Sequence, residues 1–333
     1  MAPTNRLSCI SLLLSAALAT SACGEGETDG TQHVLVSVTH GEGRFVAVGY
    51  DEIERADNQP LLMSSTDGLS WTRHDASLPR QELHDITFGN GVFVAVGGTA
   101  HPTATGASIP VALASDDGVA WTRINLPTTE PLRHVGFGGG LFVIIDHAGQ
   151  TFVSTDGRNF TAAAAIPDGY SISGIAFGAG QFVFWGFHPG VYVSPDAQAF
   201  TEKPLVDVQE VHCLHFAAGQ FQGVGMTSTG ADEQPIATKF VVTSETADTW
   251  ATKIGSFPCQ GLAESNDVLV AGSGDQLYRS VGGNDFEVTH TAAERHERLD
   301  VAVGGGVFVA VGVDEIDTSP DGRTWTVTPL PLP

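Results

Sequence analysis

The residues of this chain best suited to chemistry are histidines and aspartates. His84 is followed by Asp85, Arg133 by His134 and His212 by Cys213, while Asp300 stands two positions after Arg298. His101, His147 (beside Asp146) and His188 add imidazoles in the segments between. An imidazole changes charge near neutral pH and is a common zinc ligand, so His gathered with Asp would hold a metal ion or move a proton. The spacings that announce a built site are missing: there is no His-Glu-x-x-His, no Cys-x-x-Cys, no Gly-x-Ser-x-Gly elbow and no phosphate-binding loop. The expectation is a hydrated polar ligand face made of His84, Asp85, His101, His134, His147, His188, His212 and Asp300. No catalytic residue, metal or cofactor is assigned.

Charge narrows the partners. Among 333 residues, Asp and Glu number 38 against 15 Lys and Arg, giving a net charge of -23. The lysines are three, Lys203, Lys239 and Lys253. Such a surface repels phosphate backbones and anionic headgroups, which excludes nucleic acid and disfavours electrostatic lipid binding. Disorder is excluded as well, because 42% of the residues are hydrophobic, 16% are charged and 18 are Phe.

Positioning that ligand face is the work of a repeat. An apolar run typified by Phe93-Val-Ala-Val is anchored at Phe45, Phe93, Phe142, Phe182, Phe221, Leu269 and Phe308. A serine recurs at 65, 115, 154, 194, 244, 280 and 319, at intervals of 36 to 50 residues. A closing aromatic follows at Trp71, Trp121, Phe160, Phe200, Trp250, Phe286 and Trp325. Three landmarks in register, each occurring seven times, mark one structural unit. Each unit holds four short strand-like runs, a to d, with a glycine-rich hairpin between a and b. Strand b is apolar at every position, so both its faces are buried. A four-stranded unit buried on both sides needs a sheet against each, and a ring of radial blades provides that.

The predicted fold is therefore all-β: one seven-bladed β-propeller, four antiparallel strands per blade, monomeric, over residues 32–333. Its blades approximate to 32–79, 80–128, 129–167, 168–206, 207–256, 257–292 and 293–333. The b–c and d–a connections share one face, where the long b–c segments of blades one, two and five fall. Cys213 and Cys259 lie on the first strands of neighbouring blades, so either a disulfide or two buried thiols fits.

Ser65-Thr-Asp67-Gly68-Leu-Ser-Trp71 resembles the Asp-box, or BNR, repeat of sialidase-like propellers. Asp117, Asp156 and Asp321 sit in matching stretches, whereas Ala197, Ala247 and Gly282 break the pattern in blades four to six. The resemblance implies that Asp67, Asp117, Asp156 and Asp321 hold turns on the face opposite the ligand side. It does not extend to sialidase activity, because the arginine clamp expected near the start of blade one is absent between Gln32 and His40. Photosystem-assembly factors of similar repeat type are non-enzymatic, which implies a binding role.

The N-terminus reads as an address. Arg6 precedes the apolar stretch Leu7 to Ala19, too short to span a membrane, and Thr20-Ser21-Ala22-Cys23 resembles a bacterial lipoprotein box. The resemblance implies cleavage after residue 22 and lipid on Cys23, with residues 23–31 as an acidic, glycine-rich tether. Gly24 resembles the signal for outer-membrane sorting. The sequence thus points to a propeller held in the bacterial cell envelope by an N-terminal lipid, binding a protein or glycan without catalysis. The competing expectation is a glycan-active hydrolase or lyase centred on His84, Asp85, His134 and His212.

Overall fold

The computed structural model describes residues 31–53, 58–76, 78, 80–99, 109–167, 172–229, 236–283, 285–292 and 297–330. Residues 1–30, which include Cys23, and His101 lie outside the described residues. The chain divides into Met1–Gly30 and Thr31–Pro333, and the fold is that of the second unit.

That unit is all-β: seven sheets of four antiparallel strands, each in strict sequence order, arranged as a seven-bladed β-propeller. Blade one holds β1 (Thr31–Gly41), β2 (Arg44–Ile53), β3 (Gln59–Ser65) and β4 (Thr72–Arg73). Blade two holds β5 (Glu82–Gly89), β6 (Val92–Gly98), β7 (Pro110–Ser115) and β8 (Thr122–Arg123). Blade three holds β9 (Leu132–Gly138), β10 (Leu141–Asp146), β11 (Gln150–Ser154) and β12 (Thr161–Ala165). Blade four holds β13 (Ile172–Gly178), β14 (Gln181–Gly186), β15 (Gly190–Ser194) and β16 (Thr201–Pro204). Blade five holds β17 (Glu210–Ala217), β18 (Gln220–Thr229), β19 (Ile236–Ser244) and β20 (Ala251–Ile254). Blade six holds β21 (Gly261–Ser265), β22 (Val268–Ser273), β23 (Gln276–Val281) and β24 (Glu287–Thr291). Blade seven holds β25 (Arg298–Gly304), β26 (Val307–Gly312), β27 (Glu315–Ser319) and β28 (Thr326–Pro329). Among the described residues, no helix is long and apolar enough to cross a membrane.

The core lies between blades. In β6, Val92, Val94 and Val96 pack on Leu132, Val135, Phe142 and Ile144 of blade three. The alternate residues Phe93 and Ala95 pack on Val46, Val48 and Leu62 of blade one. This is why strand b is apolar throughout: a strand buried on both sides has no solvent face to fill with polar residues.

Inner strands are locked by a second device. The glycine ending strand a sits directly beneath an aromatic of the next blade. A Cβ on Gly41, Gly89, Gly138 or Gly178 would lie 1.9–2.2 Å from a ring carbon of Phe88, Phe137, Phe177 or Phe216 respectively, and one on Gly304 would meet His40. Each ring also packs on the anchor Phe of its own strand b, as with Phe88 on Phe93 at 4.6 Å between centroids. The lock runs from blade seven through blade one to blade five and stops there. Where blade six should supply the aromatic it has Glu264, whose Oε2 accepts the Ala218 N–H at 2.6 Å. The innermost strands β17 and β21 touch far less than any other neighbouring pair. A disulfide between Cys213 and Cys259, with Cα atoms 5.9 Å apart, joins blades five and six towards the other end of these strands.

Asp-box turns occupy the opposite face. Asp67 Oδ1 accepts the Leu69 and Ser70 N–H groups at 2.8 and 2.7 Å, Ser65 Oγ accepts from Gly68, and Gly68 takes φ 74°. These backbone bonds favour the charged carboxylate and hold Asp67 at about 2. Asp117, Asp156 and Asp321 make the same pair of bonds, and each is likewise held below the usual carboxylate range. Their carboxylates serve the turn.

The ring closes without exchanging a strand between the first and last blades. Blade seven meets blade one through the bridge Val34–Val313, the reciprocal bonds of His33 and Asp314, and Thr318 Oγ1 donating to Gly68 O at 2.5 Å.

Candidate functional site

In six of the seven blades, strand a carries a β-bulge against strand b. The extra residues are Val36, His84, Arg133, Ser173, His212 and Leu299. Blade six pairs β21 with β22 without a slip. A bulge inserts a residue the ladder does not use and re-aims its side chain. All six lie near the start of the innermost strand, at the loop face. Two connected spaces result. A central channel of about 440 Å³ touches the innermost strand of every blade, through residues such as Ser37, Asp85, Val135, Ile175, Leu214, Leu262 and Asp300. At its mouth, over blades one to three, opens a cleft of about 410 Å³ bordered by Tyr50, Glu82, His84, Arg133, His134 and His147.

The structure brings His84, His134 and His147 together at the mouth, with Asp85 beside His134, and sets His188 and His212 apart. Asp85 and Asp300 lie in the channel wall. His212 lines a different hollow and bonds Glu210 Oε1 at 3.1 Å. His188 is buried at the rim of blade four, stacked on Tyr192 and 3.3 Å from Glu202 Oε1. Sequence position could place His188 on the loop face but not say how far from the axis it stands.

Most acidic groups here already have partners. Asp85 Oδ1 accepts the Ile86 N–H at 2.8 Å, and its Oδ2 accepts the Val135 N–H of blade three at 2.9 Å. Asp300 does the same one interface back, accepting from Val301 and from Val38 of blade one. Each aspartate thus satisfies the free backbone edge of the next inner strand. Ser37 Oγ lies 3.0 Å from Asp85 Oδ1 and 3.1 Å from Asp300 Oδ2. One hydroxyl proton cannot serve two carboxylates, so the chain of bonds is complete when Asp300 itself carries a proton. Burial pushes the Asp300 carboxyl up to about 7, with the Asp85 charge adding to the effect and the backbone bonds opposing it. Asp146 accepts from Thr128 Oγ1 and the Ala148 and Gln150 N–H groups.

Donors are less fully used. Arg133 is exposed, bonds only His147 Nδ1 at 3.3 Å, and pairs with no carboxylate among the described residues. His84 stands between Leu132 O and Glu82 Oε2, each at 3.1 Å, and both bonds form when each ring nitrogen carries a proton. His134 lies 3.3 Å from Ile172 O and 3.7 Å from Asp85 Oδ2. Arg133 is thus the charged donor at the mouth that meets no carboxylate among the described residues, beside the carboxylates of Glu82 and Asp146 in the same lining. Among the described residues, no group of three or more His, Cys, Asp or Glu side chains is arranged to hold a metal. Arg133, Glu82 and Tyr50 are additions to the sequence-derived set. Arg133 sits beside His134 in sequence, but a bulge leaves the apolar pattern of its strand intact and so gives no sign of itself.

No protein-family model matches the chain, and no curated protein matches it. Solved structures share its fold. YCF48 bound to D1 peptide superposes with a TM-score of 0.59 at 15% identity, covering 84% of this chain and 91% of that one. A catalytically inactive virginiamycin B lyase from Staphylococcus aureus with quinupristin gives 0.63 at 9% identity, covering 91% and 97%. A streptogramin B lyase gives 0.61 at 12% identity, covering 88% and 100%. These likenesses establish the class, a seven-bladed β-propeller module. One of these neighbours is a peptide binder and two are lyases.

Proposed function

We propose that this chain is a non-enzymatic binding propeller of the bacterial cell envelope, held by lipid on Cys23, that captures a protein or glycan at the mouth of its channel. The observation that carries the binding role is Arg133: an exposed guanidinium, set on a bulge of the innermost strand, over an open cleft and without a carboxylate partner among the described residues. A planar guanidinium that meets only His147 among the described residues, in so acidic a chain, is suited to anchoring an acidic or hydroxyl-rich ligand. That Asp85 already accepts two backbone N–H bonds weighs against its service as a general base. YCF48, a propeller of the same fold, is bound to a peptide, which supports a protein ligand. The lipoprotein-like Thr20-Ser21-Ala22-Cys23 supports the anchor.

The test is binding of the purified chain to peptide and glycan arrays. The expected result is a ligand whose binding falls roughly tenfold or more with Arg133→Ala, the usual scale for losing a charge-assisted contact, and is untouched by Asp67→Ala on the opposite face. Turnover of a glycan, abolished by His134→Ala in a folded protein, would replace this reading with the hydrolase or lyase. Labelling of cells with a fatty-acid analogue checks the anchor, and Cys23→Ala should remove the label.

A further inference from the structure

A second site opens between the same two blades, at the other end of their inner strands from the missing aromatic lock. Between blades five and six, at the loop face, lies a hollow of about 230 Å³ lined by Val224, Met226 and Phe257, with the Cys213–Cys259 disulfide in its wall and Lys239 and His212 at its edge. Register shows how its basic side arises. Cys213 pairs with Val224, Val224 with Val241, and Val241 with Lys253, while Met226 pairs with Lys239. Residues opposite one another in a sheet project from the same face, so the apolar row and both lysines belong to the side of blade five that faces blade six. Lys239 and Lys253 are exposed, and neither pairs with a carboxylate among the described residues. They are two of the chain's three lysines, set against 38 acidic residues.

We infer that this hollow is a docking site for a protein segment carrying one large apolar side chain beside a carboxylate. The size fits a side chain and not a whole small molecule, since sites for drug-sized ligands run from roughly 300 to 1,000 Å³. The charge fits as well: Lys239 at the edge and Lys253 on the same face of blade five, neither paired with a carboxylate among the described residues, stand beside an apolar floor on a chain that otherwise repels acidic partners. The hollow is separate from the channel mouth, and the inference stands independently of the function proposed there.

Two peptides test it by NMR titration of the full ring: acetyl-Gly-Phe-Asp-Gly-amide and its Asn counterpart. The acidic peptide should shift the amide signals of Val224, Met226 and Phe257 and bind roughly tenfold more tightly than the Asn peptide, the usual scale for a charge-assisted pair. Lys239→Glu, an exposed change that leaves the unfolding midpoint in place, should erase that preference, and Arg133→Ala should not alter it. Equal affinity for the two peptides, or no shift at the three residues, would overturn the inference. So would shifts at the same residues produced by phosphatidylglycerol vesicles and not by either peptide, which would make the patch a lipid contact.

Discussion

Asp300 shows how a side chain can be conspicuous for chemistry and still be explained by its surroundings. Its oxygens take backbone N–H bonds from blades seven and one, and its proton completes the chain through Ser37 to Asp85. Its carboxyl titrates at about 7 in the fold against 3.8 ordinarily. Between those pH values the folded chain holds a proton that the unfolded chain has released. The stability it contributes is therefore present at acid pH and lost as pH rises through about 7, on the order of a few kcal/mol over the interval. Denaturation midpoints measured across that range should decline with pH in the native protein, and Asp300→Asn should flatten the decline. The Asp-box carboxylates act in the reverse sense and at lower pH, since Asp67 stays charged to about 2.

At the scale of the strand, two devices decide the geometry, and they differ in how visible they are in sequence. The glycine-under-aromatic lock is written out in Phe88-Gly89, Phe137-Gly138 and Phe177-Gly178. Gly138→Ala should place a methyl against Phe177 and cost about 1–3 kcal/mol, as overpacking does. Chemical denaturation would read it. The bulges at Val36, His84 and Arg133 are silent by comparison. Hydrophobic repetition reveals which strands are buried between blades, and so seven blades of four strands could be read from the anchoring Phe, Ser and closing aromatic positions. It does not reveal a one-residue slip, because the slip falls on the channel side, where polar and apolar residues are both accommodated. The same blindness placed His188 and His212 with His84 and His134, although each stands elsewhere.

As a ring, the molecule is joined least tightly between blades five and six. From blade seven through blade one to blade five, ring-on-glycine contacts fasten the ends of neighbouring inner strands; between blades five and six Glu264 stands at that end, and the Cys213–Cys259 bond and a hollow lie towards the other. The disulfide closes a sequence separation of 46 residues, for which chain entropy gives about 2–4 kcal/mol. The Cys213→Ser, Cys259→Ser double variant should lose that much in equilibrium unfolding, and amide exchange should rise first along β17 and β21 as the join loosens.

Because every blade is one uninterrupted stretch of chain, and blades seven and one meet through side chains and a single bridge, no blade depends on the polypeptide being cut where it is. Joining Thr31 to Leu330 by a short linker and opening the chain at the segment between β12 and β13 should give a circular permutant with the same seven blades. By the same reasoning, whole blades are the unit in which such a ring can be duplicated or shuffled.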